Sequence, residues 1–219
     1  MKLLHIIGTP REASSNTLPL AAEFIDALRV EQPDLEVSEV DLFRQDLPAV
    51  AGSNIEVKYT LMMGGPIDRA HAESWARIES LIEDFLSADA ILLTSPMWNF
   101  SIPYALKYYI DCLVQPGYVF KYNEQGYPVP LVHGKRMLCI TSRGGDYSVE
   151  TPMHAYDFQE PYLRSIFGFI GVTDMEFVNV QPMDVTPELR AAAVAGAQAR
   201  LADLSAAWLA PVQATETVS

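Results

Sequence analysis

The stretch Thr94-Ser-Pro-Met-Trp-Asn-Phe-Ser-Ile-Pro103 decides the fold. It follows an apolar run over 88–93 and precedes a helix-like segment over 104–114. A short apolar run bounded in this way reads as a buried strand, so the loop that opens at Pro96 lies at its carboxyl end. Open α/β sheets bind ligands there, in the crevice beyond the strand ends. Trp98 and Phe100 offer flat apolar surface at that position, while Met97, Asn99 and the loop backbone offer groups to read the edge of a planar heterocycle. The loop is suited to holding a flat ring.

Outward from this loop, strands and helices alternate. Strands are expected over 3–7, 36–42, 88–94, 136–141 and 173–180. Helices are expected over 18–29, 67–88, 104–114, 161–169 and 187–209. Leu20, Phe24 and Leu28 recur every four residues in the first helix, and Trp75, Ile78, Ile82 and Phe85 keep helical spacing in the second. Leu189, Leu201, Leu204 and Trp208 share a face of the last. Strand and helix alternating five times imply an α/β fold: a doubly wound, five-stranded parallel sheet with right-handed crossovers and helices on both faces. Two segments exceed this scheme. Residues 44–66, with Pro48, Gly52, Gly64, Gly65 and Pro66, read as a long connection, functional or mobile, at a pocket rim. Residues 117–133 read as a hairpin-like excursion. No repeat, low-complexity tract or linker divides the chain, so residues 1–219 read as a single domain.

Fifteen basic and 28 acidic residues give a net charge of −13, which opposes binding to nucleic acid or to anionic lipid. The apolar start is cut short by Gly8, Pro10 and Arg11, too soon for a signal peptide, and no segment approaches transmembrane length. A cytoplasmic protein with no nucleic-acid or membrane partner is expected. Cys112 and Cys139 fall inside apolar segments and read as two buried free thiols.

Two more loops face the same crevice. The first strand runs into Gly8-Thr-Pro-Arg-Glu-Ala-Ser-Ser-Asn-Thr17. Hydroxyls of Thr9, Ser15 and Thr17, the amide of Asn16, helix N-terminal N–H groups and the charge of Arg11 would together cradle a phosphate. The plainer reading makes Ser15 or Asn16 only an N-cap. The spacing is neither a Walker loop nor a dinucleotide G-x-G-x-x-G, which favours a mononucleotide. The fourth strand ends in Thr141-Ser-Arg-Gly-Gly-Asp146, where paired glycines let backbone approach a ligand closely, although a lone Gly-Gly is also a plain flexible turn. Phosphate at the first loop and ring at the second and third is the layout of a flavin mononucleotide site.

The run Ser95-Pro-Met-Trp-Asn-Phe-Ser-Ile-Pro103, Leu106, Lys107 and Asp111 after it, Thr141-Ser-Arg-Gly-Gly145 and Phe167-Gly-Phe-Ile-Gly-Val-Thr-Asp174 resemble the flavodoxin-like, FMN-dependent NADH-azoreductases, which also act as NAD(P)H:quinone reductases. The resemblance spans nearly the whole chain and is weakest over 44–69. It implies a flavodoxin-like fold, FMN as a tightly bound cofactor, NADH or NADPH as electron donor and a quinone or azo compound as acceptor. It further implies that Thr9, Ser15, Asn16 and Thr17 bind the phosphate, with Thr at positions 9 and 17 where the family commonly has Ser. Met97, Trp98, Asn99 and Phe100 would contact the isoalloxazine and ribityl chain, with Ser142, Arg143, Gly144 and Gly145 on its other edge. The active unit would be a homodimer with Tyr122 and Phe169 lining the substrate side, and Asn99 serving hydride transfer at flavin N5 in a ping-pong cycle.

The cofactor then carries the difficult step, which accounts for the lack of an acid–base constellation. His71, His133 and His154 are scattered singly with no ligand spacing, so no metal site is expected, and His5 reads as a core histidine. No Gly-x-Ser-x-Gly elbow supports hydrolysis. Three other functions compete: a flavodoxin-type electron carrier, a flavin-free binding protein keeping only the fold, and a reductase of nitroaromatics or a specialised metabolite.

Overall fold

The computed structural model describes residues 1–208. In chain order its elements are β1 (Lys2–Ile7), α1 (Leu18–Glu31), β2 (Glu36–Asp41), α2 (Ser53–Met62), α3 (Ala72–Ser87), β3 (Ala90–Pro96), α4 (Tyr104–Leu113), β4 (Phe120–Tyr122), β5 (Pro128–Pro130), β6 (Arg136–Ser142), α5 (Glu160–Ile170), β7 (Asp174–Val180) and α6 (Pro187–Trp208). The last residue of the expected final helix, at 209, and the rest of the single domain expected over 1–219 lie outside the described residues.

Five strands form one all-parallel sheet in the order β2-β1-β3-β6-β7. Side chains of successive strand residues point to opposite faces, and each face has its own core. Leu4, Ile6, Ile91, Leu93 and Cys139 pack under α3, α4 and α5 with Trp75, Phe85 and Phe167. On the other face Leu3, Ala90, Leu92, Leu138 and Ile140 meet α1 and α6 through Phe24, Leu28, Leu201 and Trp208. The central strands are therefore apolar along their whole length, the pattern of a sheet covered on both sides. Ile7 pairs with Thr94, and Thr94 with Ile140, so β1, β3 and β6 end nearly level. Their three following loops leave the sheet side by side.

Residues 44–66 are not only a connection. They contain α2, of which only Asn54 and Val57 are buried, so the hydrophobic periodicity that reveals a helix is almost absent. The helix expected over 67–88 begins at Ala72, because the Asp68 carboxylate accepts the N–H groups of Ala70 at 2.8 Å and His71 at 3.0 Å and holds the preceding turn apart. Strands β3 and β6 run on through Pro96 and Ser142, which places these two residues on strand ends, paired with each other. The 117–133 excursion forms an antiparallel hairpin from β4 and β5.

Candidate active site

The three loops are tied to one another by short backbone and side-chain bonds. Gly8 N–H donates to the Thr94 carbonyl at 2.7 Å, joining the first loop to the end of β3. A Cβ on Gly8 would lie 3.0 Å from that oxygen, so glycine permits the close approach. Met97 N–H donates to the Ser142 carbonyl at 2.8 Å, and the Asn16 amide donates to Ser142 Oγ at 3.1 Å. Ser142 thus sits between the first and second loops.

In the first loop the hydroxyl-bearing residues Thr9, Ser15 and Thr17 are all buried, although they belong to a loop at the sheet edge. Ser15 Oγ lies 3.2 Å from Thr17 Oγ1 and accepts the N–H groups of Thr17 and Leu18 at 3.2 and 3.3 Å. The N-cap of α1 is Thr17, which makes no side-chain capping bond, so the plainer reading of Ser15 or Asn16 as the N-cap does not hold; Ser15 instead braces the turn ahead of the helix through the Thr17 and Leu18 N–H groups. Arg11 is exposed. Glu12, at φ 45°, pairs through its carboxylate with Arg44 at 2.6 Å, bridging the first loop to the segment after β2. The hydroxyls of Thr9, Ser15 and Thr17 and the Asn16 amide fit a phosphate ester, whereas the expected helix N-terminal N–H groups are largely spent, since Thr17 and Leu18 donate to Ser15 and Pro19 has none; pairing with Arg44 offsets the Glu12 carboxylate.

In the second loop Trp98 and Ser101 exchange both backbone hydrogen bonds, at 2.9 and 3.0 Å. The two residues between them, Asn99 and Phe100, have φ of 47° and 69°. Positive φ at both central positions is the geometry of a type I′ turn, tolerable for Asn and strained for Phe. Such strain costs on the order of 1–3 kcal/mol per residue and collects where function over-determines the backbone. Among the described residues the non-glycine positive-φ positions are Glu12, Asn99 and Phe100, all in the loops beyond the strand ends. Trp98 packs edge-on against Phe43 with ring centroids 5.9 Å apart, and Phe43 meets Tyr104 at 5.6 Å. Phe100 lies 5.3 Å from Tyr156 and 6.5 Å from Tyr147. Phe43, Tyr147 and Tyr156 escaped sequence reading, since none carries a periodic or motif signal; the presence of aromatic residues directly after β2 and after the Gly-Gly pair was the available hint.

Gly144 and Gly145 form the third loop. A Cβ on Gly144 would lie 2.7 Å from Oδ2 of the exposed Asp184 side chain, which would have to turn aside to admit it. Arg143 departs from expectation. Its side chain is 1% exposed and turned into the protein, where Nε donates to Thr141 Oγ1 and Gln159 Oε1 and Nη1 donates to Asp157 Oδ2 at 2.8 Å. Its backbone N–H donates to the Val180 carbonyl and its carbonyl accepts from Met183. Arg143 is thus engaged inside the protein rather than offered to a ring edge. The buried partners Asp157 and Gln159 were also missed, because two polar residues ahead of a helix look like ordinary capping.

Tyr122 and Phe169 are brought to each other through Phe120, whose ring lies 5.6 and 4.8 Å from theirs. Among the described residues no aromatic contact joins either of them to Trp98 or Phe100. Phe158, just ahead of helix α5, donates its N–H to the Phe100 carbonyl at 2.9 Å, and Phe169 stands nine residues along the helix from its start at Glu160, roughly 14 Å along the axis. Both aromatics are nevertheless exposed, 43% and 37%. Two concavities of about 460 and 320 Å³ lie between β7 and α6 and between α1 and β2, and neither is lined by a residue of the three loops. Trp98 and Phe100, 37% and 41% exposed, instead border an open shelf.

His5 is 3% exposed, shares a hydrogen bond with Thr94 Oγ1 at 3.1 Å and faces the Glu39 carboxylate at 3.6 Å. Burial lowers its pKa from 6.5, with Glu39 opposing. Burial pushes the Cys112 thiol up to about 12 and that of Cys139 higher, so both stay protonated. Among the described residues no group of three metal-ligating side chains converges, and no helix is long and apolar enough to cross a membrane.

A family model described as a flavodoxin-like fold matches residues 1–204. The chain is 40% identical over 180 residues to an FMN-dependent NADH:quinone oxidoreductase of Nitratidesulfovibrio vulgaris, covering 82% of this chain and 86% of that protein. It is 36% identical over 211 residues to FMN-dependent NADH:quinone oxidoreductase 3 of Pseudomonas fluorescens, covering 94% and 98%. Among solved structures, an azoreductase from Bacillus anthracis superposes with a TM-score of 0.83 at 28% identity over 94% of this chain and 98% of that one.

Proposed function

The chain belongs to the flavodoxin-like family of FMN-dependent NADH:quinone oxidoreductases, and from that premise we propose that it reduces quinones and azo compounds at a site built from its three strand-end loops. The observation that carries this reading is the strained Asn99–Phe100 turn, tied at Met97 to the third loop and set in the same crevice as the buried hydroxyl loop. FMN, when bound, supplies the chemistry: hydride accepted at N5 from NADH or NADPH, then two electrons passed to the acceptor, in ping-pong order.

The chain's own residues bind, orient and shield. Thr9, Ser15, Asn16 and Thr17 hold the phosphate through hydroxyl and amide donors, with Arg11 adding charge. Pro96, Met97, Trp98, Asn99 and Phe100 hold the ring system, Trp98 and Phe100 by apolar contact and Asn99 by its amide. Ser142, Gly144 and Gly145 border the opposite edge with N–H donors, which favour negative charge developing there as oxyanion donors do. Tyr122 and Phe169 serve the acceptor side from a second copy of the chain, a homodimer being supported by their exposure and by their lack, among the described residues, of an aromatic contact with Trp98 or Phe100. The acceptors are small and flat, and membership of this family of oxidoreductases supports a cytoplasmic location.

Steady-state rates with varied NADH at several quinone concentrations test the catalytic order. Parallel double-reciprocal lines are expected; intersecting lines would remove the ping-pong assignment.

A further inference from the structure

The Pro96–Met97 peptide unit is held at both ends. Its N–H donates to the Ser142 carbonyl at 2.8 Å, and its carbonyl accepts from Gln159 Nε2 at 2.8 Å. Three residues on, the Phe100 carbonyl accepts from Phe158 N–H at 2.9 Å. Two consecutive residues of one segment therefore grip the second loop on either side of Asn99, the first of its two positive-φ positions. Gln159 is itself fixed. It is 0% exposed, its Oε1 accepts from Arg143 Nε at 3.3 Å, and its N–H donates to Asp157 Oδ1 at 3.0 Å while Asp157 Oδ2 accepts from Arg143 at 2.8 Å. A buried side-chain amide satisfied on both its oxygen and its nitrogen defines one orientation, and so one angle of the peptide plane it holds.

We infer that Gln159 is a positioning residue for FMN: with Phe158 it clamps the second loop at Pro96 and Phe100, and the Arg143–Asp157 ion pair locks that clamp to the third loop. The inference rests on the proposed function. It assigns the buried Arg143 a part in the site through Gln159 instead of by contact. It also predicts that loop geometry and flavin environment depend on a residue that touches no ligand.

Gln159→Glu separates the two bonds, because a carboxylate keeps an acceptor for Arg143 and loses the donor to Pro96. The probe is FMN titrated into apoprotein by fluorescence quenching, with thermal unfolding of the apoprotein and the midpoint potential of bound FMN measured in parallel. Wild-type protein that fails to bind FMN would sink the proposed function itself. Given wild-type binding, Gln159→Glu is expected to fold with a lowered unfolding midpoint, to bind FMN about tenfold more weakly, a 1.4 kcal/mol loss, and to shift the flavin potential. Unchanged affinity and potential would overturn the positioning role. Should Gln159→Glu fail to fold, Gln159→Leu, which adds no charge and also lacks the donor, is measured in its place with the same expectation. Failure of both to fold would overturn the inference by making the residue a requirement of the fold alone.

Discussion

At Asn99 the backbone takes a left-handed φ of 47°, which asparagine tolerates better than any residue but glycine. Asn99→Ala should therefore lower stability by only about 1 kcal/mol, yet reduce turnover with NADH and quinone about tenfold or more at saturating FMN, by loss of the amide donor. Wild-type turnover in that variant would remove the amide from catalysis. His5 gives a prediction of stability against pH. Its folded pKa lies below 6.5, so below that pH the unfolded chain holds the extra proton and stability falls as pH drops toward the folded value. His5→Gln should abolish that component, visible as a shallower decline of the unfolding midpoint between pH 7 and 5 than in wild type. The core role of His5 was legible from its place within an apolar strand. The inward turn of Arg143 was not, since a guanidinium beside two glycines reads as a ligand group until its buried partners at 157 and 159, far along the chain, are known.

At the scale of elements, α5 carries two duties: its start meets the clamp on the second loop, and its end presents Phe169. The helix stops at Gly171, φ 111°, where a Cβ would collide with the Val132 carbonyl. Gly171→Ala should lower stability by about 2 kcal/mol or more, through the left-handed backbone and the collision together, as read by urea unfolding. A midpoint equal to wild type would show that the turn rearranges freely. Strands and long helices were legible because buried parallel strands and amphipathic helices write their periods into the sequence, as in Trp75, Ile78, Ile82 and Phe85 of α3. Helix α2 was not, because it buries only Asn54 and Val57 and so has no apolar face to announce it. The three site loops were legible as motifs, whereas Phe43 becomes part of the site only when β2 is seen at the sheet edge, bringing it to Trp98.

For the whole molecule, the aromatic cluster of Phe120, Tyr122 and Phe169 lies at the far end of α5 from its own crevice. A homodimer that brings one copy's cluster over the other's shelf predicts a mass near twice 24.3 kDa in sedimentation. Phe169→Ala should then raise the KM for quinone several-fold while leaving FMN affinity unchanged; a monomeric enzyme with full activity would contradict the shared site. The central claim, a nicotinamide-driven flavin reductase, is tested most directly by the anaerobic visible spectrum of the FMN-loaded protein. Bleaching on addition of NADH or NADPH, with full recovery on addition of a quinone, is the predicted result. A flavin spectrum that neither nicotinamide bleaches would contradict it and leave an electron carrier served by a protein partner.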